Sequence, residues 1–479
     1  MWLGPPQRVT RHAAATRLPA AAVRRNGVTQ SLGTEWWRPV SGPTPASPSA
    51  VAALAQDSAL PFRGMMVFTF ILLLSPQTFI PVLARAHIAL LTGGLAVVVH
   101  WWSRFTTRQP IMRVTRELWL SAVLLIWAIV TIPVSQWPMG SLQIFVDLFL
   151  KAVIIFWLLS NTVTTMRRLL TVAWGVSLMA VPLAVTAVRS FSGAGAGASR
   201  IVGYEAALTQ NPNDLALTLN LILPLTVALF LISRQAVLRG FLAGVIVLDA
   251  TAVVATFSRG GFLALATILV LYLRSLHGLR ERRWAIAAVL LALAAMPLLP
   301  SSYLERLGTI TNVQADQTGS AQERVRDTKA AMSFVLSHPI TGAGLGMNIL
   351  ALNEIRGAHW LQVHNAYLEY AMDLGWIGLG LFLLLLASCI RTAARVRTQC
   401  AELPALRDLC VLAEAIRITL VAFAVAACFH PVAYHFFFFY FGALAVAAGA
   451  VFEAEIHAAT GELQRRASPE SRLVATSAT

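Results

Sequence analysis

The chain has 479 residues, of which 57% are hydrophobic and only 12% charged. Soluble domains carry roughly a quarter of their residues as Asp, Glu, Lys and Arg, so half that share, with a mean hydropathy of +0.68, excludes an ordinary water-soluble globule. The formal net charge of +15 does not point to nucleic acid, because the arginines sit in short clusters between apolar runs and no aromatic-plus-basic domain stands apart.

Residues 1–61 are rich in Arg, Ala, Pro and Ser and hold no apolar run, which reads as a disordered cytoplasmic extension. They lack the order of a signal peptide. Met65 and Met66 open the first apolar run, so a start of translation there stays open. A membrane span needs about 20 mostly apolar residues. Runs of that kind fall at 62–81, 84–102, 117–135, 141–160, 168–188, 212–232, 238–256, 259–273, 284–300, 365–390, 411–429 and 434–453. The pair meeting at Ser258–Gly261 is either two spans on a tight turn or one broken helix. The expected fold is therefore all-α: a polytopic membrane domain over residues 62–455, with about twelve transmembrane helices. One large periplasmic loop, residues 301–364, lies between the ninth and the tenth, and residues 456–479 form a cytoplasmic tail.

Orientation follows from Lys and Arg in short loops. Arg104, Arg108, Arg113 and Arg116, then Arg167 and Arg168, Arg234 and Arg239, Arg274, Arg280, Arg282 and Arg283, and finally Arg391, Arg395, Arg397 and Arg407 fall on one side. Outside the long loop, the other side holds only Arg85, Arg189, Arg200 and Arg259. The arginine-rich side is read as cytoplasmic, with both termini on it, in the inner membrane of a bacterium. Two outer segments then stand out: a Gly/Ala/Ser-rich loop at 189–211 and the long loop. Within the latter, 320–337 places Val325, Ala330, Phe334 and Val335 at helical spacing, opens on a Ser320/Glu323 pair resembling a capping box, and predicts an amphipathic helix on the membrane face. The Pro and Gly of HPITGAGLG end it.

Few residues in this chain can carry chemistry. Arg259, in FSRGGF, follows one span and opens another; Gly260 and Gly261 beside it expose backbone amides, so Arg259 can clamp a diphosphate or merely snorkel at a helix end. His364 stands where the long loop meets the next span and can take a proton from a hydroxyl, or simply bond a nearby carbonyl. Glu369 and Asp373, one turn apart, read as partners for arginines or as cavity lining. Arg324 and Arg326 on the amphipathic helix, and Arg189 and Arg200 beside the Gly-rich loop, suit phosphate or water equally. Asp147 and Lys151, at i,i+4, should neutralise each other. Asp249, deep in a span without a local partner, should face inward. His430 and His435 flank a short outer turn and read as structural. Cys389, Cys400, Cys410 and Cys428 have no CxxC spacing. No metal-ligand, Walker or dinucleotide pattern is present, so no cofactor is expected.

Four segments in order change the weight of these residues: TQNPNDLALTLNLILPL (209–225), FSRGGFLAL (257–265), the stretch from YLERLGTI through QERVRDTKAAMSFVLSHPITGAGLGMN (303–348), and HNAYLEYAMDLGWIGLG (364–380). Together they resemble the O-antigen ligase and polymerase superfamily of bacterial envelope glycosyltransferases. His364, Asn365, Gly375 and Gly378 fit its closing pattern. The resemblance implies metal-independent, inverting transfer of a glycan from a polyprenyl-diphosphate carrier, on the periplasmic face. Arg259 would hold the diphosphate with Arg324, and Arg326 and Arg200 behind it; His364 would be the base or would position the acceptor. The acceptor, lipid A-core, a growing glycan or a protein, stays open. A small-solute or inorganic-anion permease is the rival reading, although no internal repeat supports it. A purely structural scaffold is the third.

Overall fold

A computed structural model describes residues 59–86, 88–193, 204, 209, 211–275, 320–357 and 360–467. The expected ninth span, Arg200, the first part of the long loop and the terminal segments lie outside these residues. Among the described residues every regular element is helical: α1 (Ala59–Leu74), α2 (Pro81–Arg85), α3 (Ile88–Thr106), α4 (Arg116–Thr131), α5 (Pro138–Thr162, with a π turn at Phe145–Phe149), α6 (Met166–Gly193), α7 (Pro212–Ile232), α8 (Ala236–Ala255), α9 (Arg259–Ser275), α10 (Ser320–Ser337), α11 (Asn348–Arg356), α12 (Ala366–Cys400), α13 (Arg407–Ala426) and α14 (Phe436–Ala467). Nine of them are long and apolar enough to cross a membrane. The count of twelve is not reached among the described residues: α1 has 16 residues and α9 has 17, and the ninth expected span is not among them.

The first span differs from expectation for a local reason. Residues 62–81 do not make one helix, because Ser75 turns into the left-handed region at φ 42° and Pro76 starts a separate 3-10 turn. Proline has no N–H to continue the ladder. At Ser258–Gly261 the tight turn is the correct alternative: α8 ends, Phe257 takes φ 53°, and α9 begins at Arg259. The last helix runs to Ala467, well into the segment expected as a tail.

α7 is the centre of the bundle. Its residues are buried almost without interruption from Leu215 to Leu229, and it packs against α6, α8, α9 and α13. α12 packs against α4, α13 and α14, and α14 against α5. The run Phe436–Phe441 is wholly buried and fills the space between them, with Tyr370 stacked on Phe382 at 4.1 Å and Phe382 edge-on to Phe438 at 5.3 Å. Lipid is as apolar as leucine, so helices in a bilayer associate by close packing and by polar contacts. The polar contacts are present: Thr226 donates to Ser177 at 2.9 Å and Tyr272 to the carbonyl of Pro224 at 2.8 Å. Each is worth about 0.6 kcal/mol, so packing carries most of the stability. Asp147 and Lys151 do pair, at 3.2 Å, and Asp249 is fully buried as expected.

The helix α10 buries Ala330, Ala331, Phe334 and Val335 against α11 and α12, while Val325, Met332 and Leu336 stay exposed.

Candidate functional site

The site is built from helix starts. At the entry to α7, Asn211 accepts from the backbone of Asn213 at 3.0 Å, with Pro212 at the first helical position, where its missing N–H costs nothing. At the entry to α9, Ser258 accepts from the Gly261 amide at 3.1 Å, and the Gly261 carbonyl accepts from Asn220 of α7 at 2.9 Å. Gly261 allows this approach: a Cβ there would stand 2.7 Å from that of Ala216. At the entry to α12, Asn365 accepts from the amides of Tyr367 and Leu368 at 2.9 and 3.1 Å, so it is the helix cap and His364 precedes it.

These entries meet around the turn between α13 and α14. The Ala366 amide donates to the Ala427 carbonyl at 2.8 Å, and the Tyr367 hydroxyl to that of Ala424 at 2.7 Å. His430, buried in this turn, has one ring nitrogen 3.1 Å from the Ala426 carbonyl and the other 3.1 Å from that of Asn213. A Cβ on Gly260 would lie 3.0 Å from the His430 ring. The SRGG turn and the start of α7 thus meet at His430, and the start of α12 is bonded to Ala424 and Ala427 just before it. Burial pushes the His430 pKa down to about 4, with Arg324 and His364 adding to the effect. Burial and then Arg324 also hold His364 below the ordinary histidine value, against weaker opposing pulls from Asp327 and Glu323. The His364 ring is thus biased toward its neutral form, and its Nδ1 is buried without a hydrogen-bond partner among the described residues. Arg259 sits half-buried at the first position of α9, and Arg324 half-buried on α10.

The loop 338–348 fixes His364 from the other side. Gly375 has φ 67° and breaks α12; a Cβ there would run into the Ile340 carbonyl, and the Trp376 amide donates to the Pro339 carbonyl at 2.8 Å. Gly378 accepts the return of the helix against Leu374, whose side chain a Cβ would strike. Asp373, at the break, accepts from the amides of Gly346 and Asn348 at 2.9 and 2.7 Å and from the Tyr434 hydroxyl at 3.1 Å. Asn348 in turn accepts from the Val363 amide at 3.4 Å, next to His364. Glu369 accepts from the Ala433 amide at 3.1 Å. Both carboxylates therefore organise backbone, and among the described residues neither forms an ion pair with an arginine, the first of the two alternatives read from the sequence. Arginine pairing belongs instead to Arg356, which is buried, forms an ion pair with Asp327 and also donates to the Leu361 carbonyl. Arg326 donates to the Arg356 carbonyl at 3.5 Å and is exposed.

Of the residues read from the sequence, Gly260 beside Arg259 lies against His430 and Gly261 against α7, and His364 and Asn365 stand at the entry to α12 beside the same turn. Arg324 on α10 acts electrostatically on His364 and His430, Arg326 lies on the same helix, and Gly375 and Gly378 lie further along α12 at its break. Arg200 is outside the described residues. Sequence reasoning missed Asn220, Asp327 and Arg356. A signal existed for Asn220, a lone amide in an apolar run, since polar groups at membrane depth need partners. Among the described residues no group of His, Cys, Asp and Glu could hold a metal ion.

A bundle with nine helices able to cross a bilayer and one polar cluster at the helix entries is a multi-pass membrane protein. Residues 244–383 match the family model of O-antigen ligase, from the middle of α8 into α12. This match over part of the chain supports an O-antigen ligase-like superfamily, a ligase/polymerase-type family of membrane enzymes that work on glycans. No curated protein matches the chain.

Proposed function

We propose that the chain transfers a glycan from a polyprenyl-diphosphate carrier to an acceptor hydroxyl, on the periplasmic face of the inner membrane and without a metal. The observation that supports this reading is the meeting of the Arg259–Gly261 turn with His430, on which Arg324 and His364 also act electrostatically. A diphosphate leaving group gathers negative charge as the glycosidic bond breaks. Arg259 and Arg324 would hold it, with Arg326 and Arg200 as further cations. The amides at the start of α9 add a partial positive charge. His364, unprotonated, would take the proton of the acceptor hydroxyl as that oxygen attacks the anomeric carbon. Attack opposite the diphosphate inverts the configuration. Asn365, Gly375 and Gly378 would position His364, and Gly260 and Gly261 would position Arg259. The acceptor would be lipid A-core or a growing glycan. The ligase-like domain would extend over residues 62–455, a reading supported by the packing of α4, α7, α13 and α14 around the matched segment.

The test is His364→Ala in a deletion strain. Transfer should fall by about 10²–10⁴, while the protein still inserts and polyprenyl-linked glycan accumulates. A permease would leave that pool unchanged and lower a solute flux. An unchanged lipid-linked pool in the deletion strain itself would sink the proposal.

A further inference from the structure

A second polar cavity lies at the other end of the bundle. It encloses about 630 Å³ between the start of α4, the last turns of α12 and the middle of α14. Arg391 and Arg395 are some 25 residues along α12 from its entry beside His364, roughly 35 Å at helical rise. The far end of α4 leads to Ser135, which packs under Gly344 of the loop that fixes His364. The cavity therefore shares no residue with the proposed transfer site.

Arg113, Arg116, Arg391 and Arg395 line it, against the carboxylates of Glu117 and Glu453. Glu117 is buried at the wall, where Ser388 and Thr392 both donate to its Oε1, at 2.9 and 2.7 Å. Glu453 attracts Arg113 without ion-pair contact. Among the described residues none of the four guanidinium groups forms an ion pair, although arginines elsewhere in the protein do so at Glu414 and Asp327. Four like charges held round one cavity repel unless an anion occupies it. The α14 wall is apolar at Val446, Gly449, Ala450 and Ala454, with Glu453 and His457 toward its end. The cavity opens at the level where the spanning helices α4 and α12 end, beside chain that faces lipid: Trp119 and Val114 are exposed large apolar residues there.

We infer that this cavity binds the phosphodiester headgroup of an anionic phospholipid from the adjoining leaflet, with the arginines on the phosphate oxygens and an acyl chain along the α14 wall. Guanidinium forks match phosphate oxygens, and the apolar wall at the membrane edge favours a lipid over a soluble phosphate ester. The site is a structural tie between α4, α12 and α14, independent of the transfer reaction.

The test uses the full chain in nanodiscs of neutral phosphatidylcholine, with phosphatidylglycerol titrated in and thermal stability and native-mass lipid retention as readouts. Phosphatidylglycerol should raise the melting temperature and remain bound. Arg391→Gln with Arg395→Gln should weaken that retention, on the order of five-fold per arginine removed, and should melt like the parent in pure phosphatidylcholine. Arg167→Gln with Arg274→Gln removes the same charge from exposed positions outside the cavity and should change neither readout. Soluble glycerol phosphate should not displace the lipid at millimolar concentration. Displacement, with no preference for phosphatidylglycerol, overturns the lipid and makes the ligand a soluble phosphate ester. Absence of any phosphatidylglycerol effect, or an equal effect in the cavity and control variants, overturns the site.

Discussion

At the scale of single residues, the division of labour falls between groups that touch substrate in the proposed reaction and groups that hold them. Arg259 opens α9, where in the proposed reaction its guanidinium and the helix amides would hold the same diphosphate. In the proposed reaction Arg259→Lys should be nearly as damaging as Arg259→Ala, because an ammonium keeps the charge but loses the two-pronged contact to phosphate oxygens. Glycan transfer in membranes at matched protein level checks this; near-normal transfer in the lysine variant would reduce Arg259 to a point charge. The Asp327–Arg356 pair has a different task. Both side chains are about 5% exposed, and removing one partner from a buried pair strands the other charge, at about 3–5 kcal/mol. Arg356→Ala should therefore lower the melting temperature and loosen the 361–364 segment, read as faster protease cleavage there. A melting curve unchanged from the parent would show the pair to be hydrated and unimportant.

At the scale of elements, the break in α12 is the joint on which the site turns. The helix does not bend for lack of helix formers; it breaks because Gly375 takes a positive φ and receives the Pro339–Ile340 backbone. Gly375→Ala would be strained by φ and blocked by the Ile340 carbonyl. Strain of that kind costs about 1–3 kcal/mol before the clash is counted. The expected outcome is a less stable protein with transfer reduced along with it. Gly380→Ala, on the same helix with open space at its Cβ, is the control and should melt like the parent. If both variants melt alike, the break does not depend on glycine. The same loop explains why α10 is buried on one face. α10 and α11 dock on the broken part of α12 through Ala331, Phe334, Ala351 and Met372, which brings Arg324 over His364.

At the scale of the whole molecule, the arginine distribution and the helix order predict topology. Reporter fusions after Leu350 and after Arg397 should lie on opposite sides of the membrane, since α12 crosses between them. The same side for both would overturn the orientation and with it the periplasmic placement of His364.

The sequence by itself determined the elements and the membrane. Spans are written as continuous apolar runs, and a run of that length has few alternatives to a helix, because no water is present to satisfy its backbone. Most predicted runs from α3 onward lie within about five residues of an observed helix, although α12 and α14 run ten and fourteen residues past theirs, and three of the four segments that carry the resemblance fall inside the family match over 244–383. Where local chemistry interrupts a run, as Ser75 and Pro76 do in the first span, length alone gave the wrong element. The tertiary structure decided the partners. Glu369 and Asp373 offered their carboxylates to any donor, and only the fold delivered backbone amides instead of arginines. Arg356 and Asp327 are 29 residues apart, and His430 and Asn213 are 217 apart. No local pattern relates such pairs, because their contact is a consequence of how the helices pack. The motif singles out His364 as a candidate base or acceptor-positioning group. The bias of its ring toward the neutral form required the burial and the nearby Arg324 that only the assembled helices supply.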